Sequence, residues 1–216
     1  RQVHEYDYWK FWDKRLENYE RLAPFKKVLV CPLVSKYVSF AFVPSNMVFM
    51  HKIGVFFSDK YGDFALLQSS IHQLWAWQYC STIGVAGINY SLSDAVETFP
   101  FIHNNANLEK IGGLYINFRQ QIMFNYQSGL TDTYNSLHDA QKRSTDIIHL
   151  RELQVEMDIA VAAAYGWSDL DLGHGFYETA QGVRFTISEA ARREVLARLL
   201  QLNHERYEEE VRQGLH

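Results

Sequence analysis

The hydrophobic pattern changes its period near Phe64, and that change limits the folds open to this chain. Before it lie three short apolar runs rich in β-branched and aromatic residues: "KVLVCPLV" (27–34), "YVSFAFVP" (37–44) and "MVFMHKIGVFF" (47–57). Pro32, Pro44 and the pair Ser45-Asn46 punctuate them. Short apolar runs bounded by turn residues read as strands, and Pro32 predicts an edge strand or a bulge. After Phe64, Leu67, Ile71, Leu74 and Trp75 recur at three and four, the apolar face of a helix that should end before Gly84–Gly87. "INYSLSDAVETFPF" (88–101) follows as an irregular segment with room for one more strand.

The second half has mainly the helical period. Ile111, Leu114, Tyr115, Phe118 and Ile122 mark one helix, with Gly129 beyond its end. Ile147, Leu150, Leu153, Met157 and Val161 mark a second, capped by Thr145-Asp146 and stopped at Gly166. "GFYETAQGVRFTI" (175–187) reads as a hairpin turning at Gln181-Gly182. Ser188 then caps a last helix carrying Ala191, Val195, Leu199 and Leu202, with Glu189/Arg193 and Glu194/Arg198 paired at i,i+4. The expected fold class is α+β: a β-rich module with a packed helix over 1–105, then a mainly helical module over 106–216. The boundary falls near 102–108, where "HNNAN" is polar and aperiodic.

Charge narrows the function. The net charge is −4, which argues against binding nucleic acid indiscriminately. Residues 10–60, however, hold nine basic side chains against four acidic ones, the only stretch suited to phosphates. No apolar run approaches the ~20 residues that span a bilayer, and no signal peptide pattern is present. Cys31 and Cys80 lie far apart without CxxC partners, which favours reduced core thiols in a cytoplasmic protein over a zinc site. The chain starts at Arg1 without a methionine, so a piece of a longer polypeptide is expected.

Two clusters invite a catalytic reading, and spacing weakens both. In "QSSIHQLWAWQYCS" (68–81), His72 and Cys80 are two helical turns apart, roughly 12 Å along the axis, while a Cys–His dyad needs about 3 Å. A buried amphipathic helix with a satisfied histidine is the better reading, with one of Trp75 and Trp77 in the core. "SDLDLGHGFYE" (168–178) gathers Asp169, Asp171, His174 and Glu178, but the spacing fits neither an EF-hand nor a zinc helix. Asp and Gly chosen for turn geometry explain it better. The acidic run 208–210 is read as a solvated helix end, and His4–Asp7 as a frayed terminus. A phosphate loop, a GxSxG elbow, an HExxH helix and an Asp/Asn-Pro-Pro-Tyr element are all missing from the sequence. No residue is therefore assigned a catalytic or metal-binding role.

"VLVCPLVSKYVSFAFVP" (28–44), "FALLQSSIHQLWAWQYCST" (64–82) and "NYSLSDAVETFPF" (89–101) together resemble the target recognition domain of single-chain bacterial restriction–modification enzymes. The related adenine methyltransferases of phage-exclusion systems share that pattern. "LRELQVEMDIAVAAAYGW" (150–167) and "VLARLLQLNHERYEEEV" (195–211) resemble the C-terminal helical part of the same family, so the likeness covers nearly the whole chain. Leu33 departs from it, standing where an arginine is expected before "VSKY". The resemblance implies a bacterial cytoplasmic parent that methylates adenine N6 with S-adenosylmethionine and in some cases also cuts DNA. The cofactor and the bond-making groups would then lie in a methyltransferase domain of the same full-length chain, outside this segment.

On that reading the partner is double-stranded DNA. Ser35, Lys36 and Tyr37 fall between two expected strands, where a loop can enter a groove, and Asn89, Tyr90 and Ser91 form a second polar-aromatic segment. Lys reads guanine, Asn reads adenine, and Ser serves several bases. Lys14, Arg15, Lys26, Lys27 and Lys52 are candidate phosphate contacts. Two other classes stay open on the residues alone. One is a protein-interaction module of a defence complex without direct DNA contact. The other is a free-standing hydrolase using His72 or the Asp169/Asp171/His174 group.

Overall fold

A computed structural model describes residues 16–84, 87–103 and 105–215. The fold is α+β, as the change of period predicts. After α1 (Leu16–Leu22) come β1 (Lys27–Pro32), β2 (Val34–Ser35), β3 (Ala41–Pro44) and β4 (Ile53–Phe56). Helices α2 (Tyr61–Gln68) and α3 (Ser70–Tyr79) follow, then β5 (Ser81–Ile83), β6 (Gly87–Asn89) and a π-helical turn, Ser93–Glu97. The second half contains α4 (Ala106–Asn125), α5 (Leu130–Leu137), α6 (Thr145–Ala164), the hairpin β7 (Gly175–Tyr177) and β8 (Arg184–Thr186), and α7 (Glu189–Arg212).

Among the described residues two three-stranded antiparallel sheets form, in the orders β3-β1-β4 and β2-β6-β5, and β7-β8 pair as a two-stranded one. Pro32 is not on an edge. It closes the central strand, opposite Ile53, at the last ladder position, where a missing N–H costs the sheet little. The expected strand at 37–44 is only half formed, because residues 37–40 pair with side chains instead of a neighbouring strand. Gln68 Oε1 accepts from Phe40 N–H at 3.0 Å, and Gln68 Nε2 donates to Val38 C=O at 3.3 Å. The Arg119 guanidinium donates to Phe40 C=O at 2.7 Å.

The helix expected to run on from Phe64 is broken at Ser69. That residue is extended (ψ 154°) and its hydroxyl accepts from His72 N–H at 3.2 Å, capping α3. Asp158 of α6 completes the cap, accepting from Ser70 N–H at 2.7 Å. At the start of α2, the carboxylate of Glu109 in α4 accepts from the N–H groups of Tyr61 and Gly62, at 3.0 and 2.6 Å. Helix α4 crosses α2 so closely that a Cβ on Gly112 would sit 2.1 Å from Tyr61 C=O.

One apolar core therefore runs from Leu29 to Leu199, continuous across the 105/106 position. Gly166 stops α6 at φ +80°, and Gly182 turns the hairpin at φ +88°. Ser188 caps α7 by accepting from Ala191 N–H at 3.2 Å. The start of α6 differs from expectation: Ser144 is its N-cap, and no side chain closes it. Among the described residues no helix is long and apolar enough to cross a membrane.

Candidate nucleic-acid interface

The backbone of Leu33 joins the two sheets. Its N–H donates to Lys52 C=O at 2.9 Å, and its C=O accepts from Tyr90 N–H at 2.7 Å. Residues from three distant stretches are thereby fixed side by side. Strand β2 pairs with β6 in the register Val34↔Asn89 and Ser35↔Ile88. Ile88 is buried, so alternation along the strand turns Val34 and Asn89 outward, and both are exposed. Lys36, two residues beyond Val34, is exposed as well. Asn89 Nδ2 donates to Ser81 Oγ on β5 at 3.2 Å, which ties its amide to the neighbouring strand.

Lys36 Nζ donates to Oδ1 of Asn135 in α5 at 2.7 Å. Tyr37 Oη donates to the same oxygen at 2.9 Å. The Ser35 hydroxyl turns back onto Tyr37 C=O, and Ser91 Oγ accepts from Asp94 N–H at 3.3 Å, bracing the π-helical turn. Ser35 and Ser91 are half-buried.

Tyr37 and Tyr90 are core residues. The Tyr37 ring stacks on His138 with centroids 5.2 Å apart, and Tyr90 is 2% exposed with its hydroxyl 2.8 Å from His72 Nε2. Their part in the edge is to hold its backbone from below, not to present rings. Burial raises the Tyr90 hydroxyl's pKa and pushes the His72 imidazole down to about 3. A neutral histidine fixed on a tyrosine inside an aromatic cage is structural.

Lys52 stands exposed beside β4, in a loop whose Val48 and Met50 are 78% and 68% exposed. Lys26 and Lys27 are at the other end of β1 from Leu33, roughly 20 Å away at strand rise. Lys27 Nζ lies over the Phe42 and Tyr61 rings, at 4.2 and 3.7 Å. The structure does not bring these two together with Lys36 and Asn89. Lys14 and Arg15 lie outside the described residues.

The acidic loop cluster is dispersed. Asp169 pairs with Arg198 at 2.7 Å, Asp171 closes a turn on Gly173 N–H, and His174 Nε2 lies 2.8 Å from buried Asp158. Among the described residues no three His, Cys, Asp or Glu side chains converge on a metal position. Asn135, which steadies Lys36, was invisible to sequence reasoning. It lies 99 positions away on the exposed side of an eight-residue helix whose apolar positions are Leu130, Tyr134 and Leu137.

No protein-family model matches this chain, and no curated protein does. Among solved structures, its fold is similar to that of the Type IIL restriction-modification enzyme MmeI in complex with DNA. The TM-score is 0.58 at 19% sequence identity, over 84% of this chain and 21% of that one. The chain thus spans about a fifth of that enzyme, and the likeness is one of fold.

Proposed function

We propose that this chain is the duplex-reading and clamping segment of an adenine-N6 DNA methyltransferase or restriction–modification enzyme. In this reading catalysis, and the S-adenosylmethionine it consumes, belong to a methyltransferase domain of the parent chain in a bacterial cytoplasm. The observation that carries it is the β2–β6 pairing, which sets Asn89 opposite Val34, two residues before Lys36, with Lys36 and Asn89 both exposed. A cation and an amide are the donor types that read guanine and adenine edges in a major groove. Ser35, Ser91 and Lys52 flank them, and a fold shared with part of a restriction-modification enzyme solved on DNA supports the assignment.

The test is Lys36→Ala in the full-length protein, with methylated adenines mapped across a genome and duplex affinity measured in parallel. A base contact by Lys36 predicts a loss of ~1–3 kcal/mol concentrated at one base pair. Unchanged sites with unchanged affinity would remove Lys36 from the interface.

Exposed Val34, Met47, Val48, Met50 and Ile83 favour a second reading, a docking face for another protein of a defence complex. Salt separates the two. Phosphate-driven binding weakens steeply as salt rises, whereas an apolar interface does not.

A further inference from the structure

A cleft of about 210 Å³ opens between Lys36, α3, α6, the β7–β8 hairpin and α7. Three cations line it, Lys36, Arg184 and Arg192, and no carboxylate does. Their hydrogen bonding is incomplete. Arg184 Nη1 donates to Val183 C=O at 3.0 Å, while its Nη2 is buried without a partner. Arg192 Nη2 reaches only Glu178 C=O, at a long 3.5 Å, and its Nε is likewise buried and unmatched. A charged donor kept from water without an acceptor is costly, so two such nitrogens on half-buried arginines at one cleft mark a place for an acceptor.

No carboxylate lining the cleft competes for them, and the Arg184 guanidinium lies over the Tyr37 ring at 5.3 Å. His138 accepts from Phe185 N–H through Nδ1 at 3.2 Å, and burial, followed by the charges of Arg184, Arg151 and Lys36, holds it neutral. Glu178 and Glu189 line only the shallower hollow beyond Arg192, where Glu189 is already paired with Arg193.

We propose that this cleft is a phosphate-binding site, in which Arg184 and Arg192 donate to phosphate oxygens, beside Lys36 at its rim. Arginine's fixed fork suits that anion. The chemistry rests on the cleft alone, but a duplex as its source rests on the function proposed above. Gln154 also lines the cleft, and its Oε1, buried without a partner, can accept a hydrogen bond from a phosphate oxygen that carries a proton. A phosphate monoester can carry one and a duplex phosphodiester cannot, so the test includes both kinds of ligand.

The experiment uses the full chain, with Arg184→Gln, Arg192→Gln and, as a charge control at the far end of α7, Arg212→Gln. Duplex affinity is measured across salt, and orthophosphate binding by phosphorus NMR at matched ionic strength, on variants whose melting shows them folded. If the source is a duplex, R184Q and R192Q each weaken every sequence alike, on the order of tenfold, and lower the salt slope by about one. If it is a monoester, duplex affinity holds while the orthophosphate signal ceases to broaden. R212Q does neither. Orthophosphate binding that both variants abolish, in a wild-type chain that ignores duplex, keeps the cleft and sinks the DNA reading. Duplex and orthophosphate binding indifferent to both variants overturns the cleft and spares the DNA reading.

Discussion

Arg151 and Arg184 place the same guanidinium beside the same histidine, in opposite circumstances. Around Arg151 every nitrogen is used. Nε donates to Leu137 C=O at 2.9 Å, Nη1 to Lys142 at 2.8 Å, and Nη2 to Ser136 at 3.0 Å and Asp139 at 2.7 Å. The group stacks over Phe176 at 4.9 Å and ties the end of α5 to the turn after it. Arg184 makes one bond, to its own chain neighbour, and leaves a buried nitrogen unmet. A cation whose donors are all taken by carbonyls is scaffold. One held in place with donors free is arranged for something else. The contrast separates the interior of the helical half from the cleft and edge beside it, and substitutions should respect it.

The largest loss should come from the scaffold side. Arg151→Ala strips four carbonyls of their donor and empties a packed site, so unfolding free energy should fall by roughly 3 kcal/mol or more in urea titration. Arg184→Gln, by contrast, should leave the urea midpoint close to wild type. Comparable losses in the two variants would erase the distinction between them.

Gly112→Ala probes the scaffold without touching charge. Its new methyl would meet Tyr61 C=O at 2.1 Å and Ala65 Cβ at 3.1 Å, contacts that force α4 off α2. About 2–3 kcal/mol of destabilisation is expected. The crossing joins the two halves of the chain, so both should melt together. Separate transitions would show that the halves fold independently and that the shared core counts for little.

His72 gives the scaffold a pH signature. Its folded pKa is lowered from an ordinary 6.5 to about 3 by burial. The neutral ring's contribution is thus fully present above 6.5 and lost as pH falls toward 3, because only the unfolded chain takes up the proton. One such group tilts stability by about 1.4 kcal/mol per pH unit in the lower part of that window. Subtracting the profile of His72→Gln from wild type isolates it from the carboxylates. A flat difference between pH 7 and 4 would mean that the ring is not buried neutral.

The parts of the fold written in local pattern were legible, and those held by distant side chains were not. The runs 27–34 and 47–57 gave β1 and β4, and Gln181-Gly182 gave the hairpin turn, because strand alternation and a left-handed glycine are local properties. Residues 37–40 carry the same strand-like composition yet form no ladder, since their partners, Gln68 and Arg119, lie 28 and 79 positions away. Ser69 broke a helix whose apolar rhythm continues unbroken. At the candidate interface, Lys36 and Asn89 are visible in the sequence as exposed residue types. Tyr37 and Tyr90, named with them as interface candidates, are buried. The cleft was not legible at all, because Lys36, Arg184 and Arg192 converge only through the packing of α3, α6 and α7.

The smallest effect sharpens the contrast most. Asn135 is exposed, and its Oδ1 accepts from both Lys36 Nζ and Tyr37 Oη. Asn135→Ala removes one solvent-facing bond to a lysine and lets the tyrosine hydroxyl find water, so stability should change by less than about 1 kcal/mol. If Asn135 only stores the lysine, freeing Nζ should leave duplex affinity unchanged or raise it slightly. If it aims the lysine at a base, the same change should blur discrimination at one base pair while total affinity holds, because the charge remains but its direction is lost. Methylation-site mapping of N135A beside K36A distinguishes these outcomes. A stability loss as large as that of R151A would instead move the whole Lys36 turn from edge to scaffold.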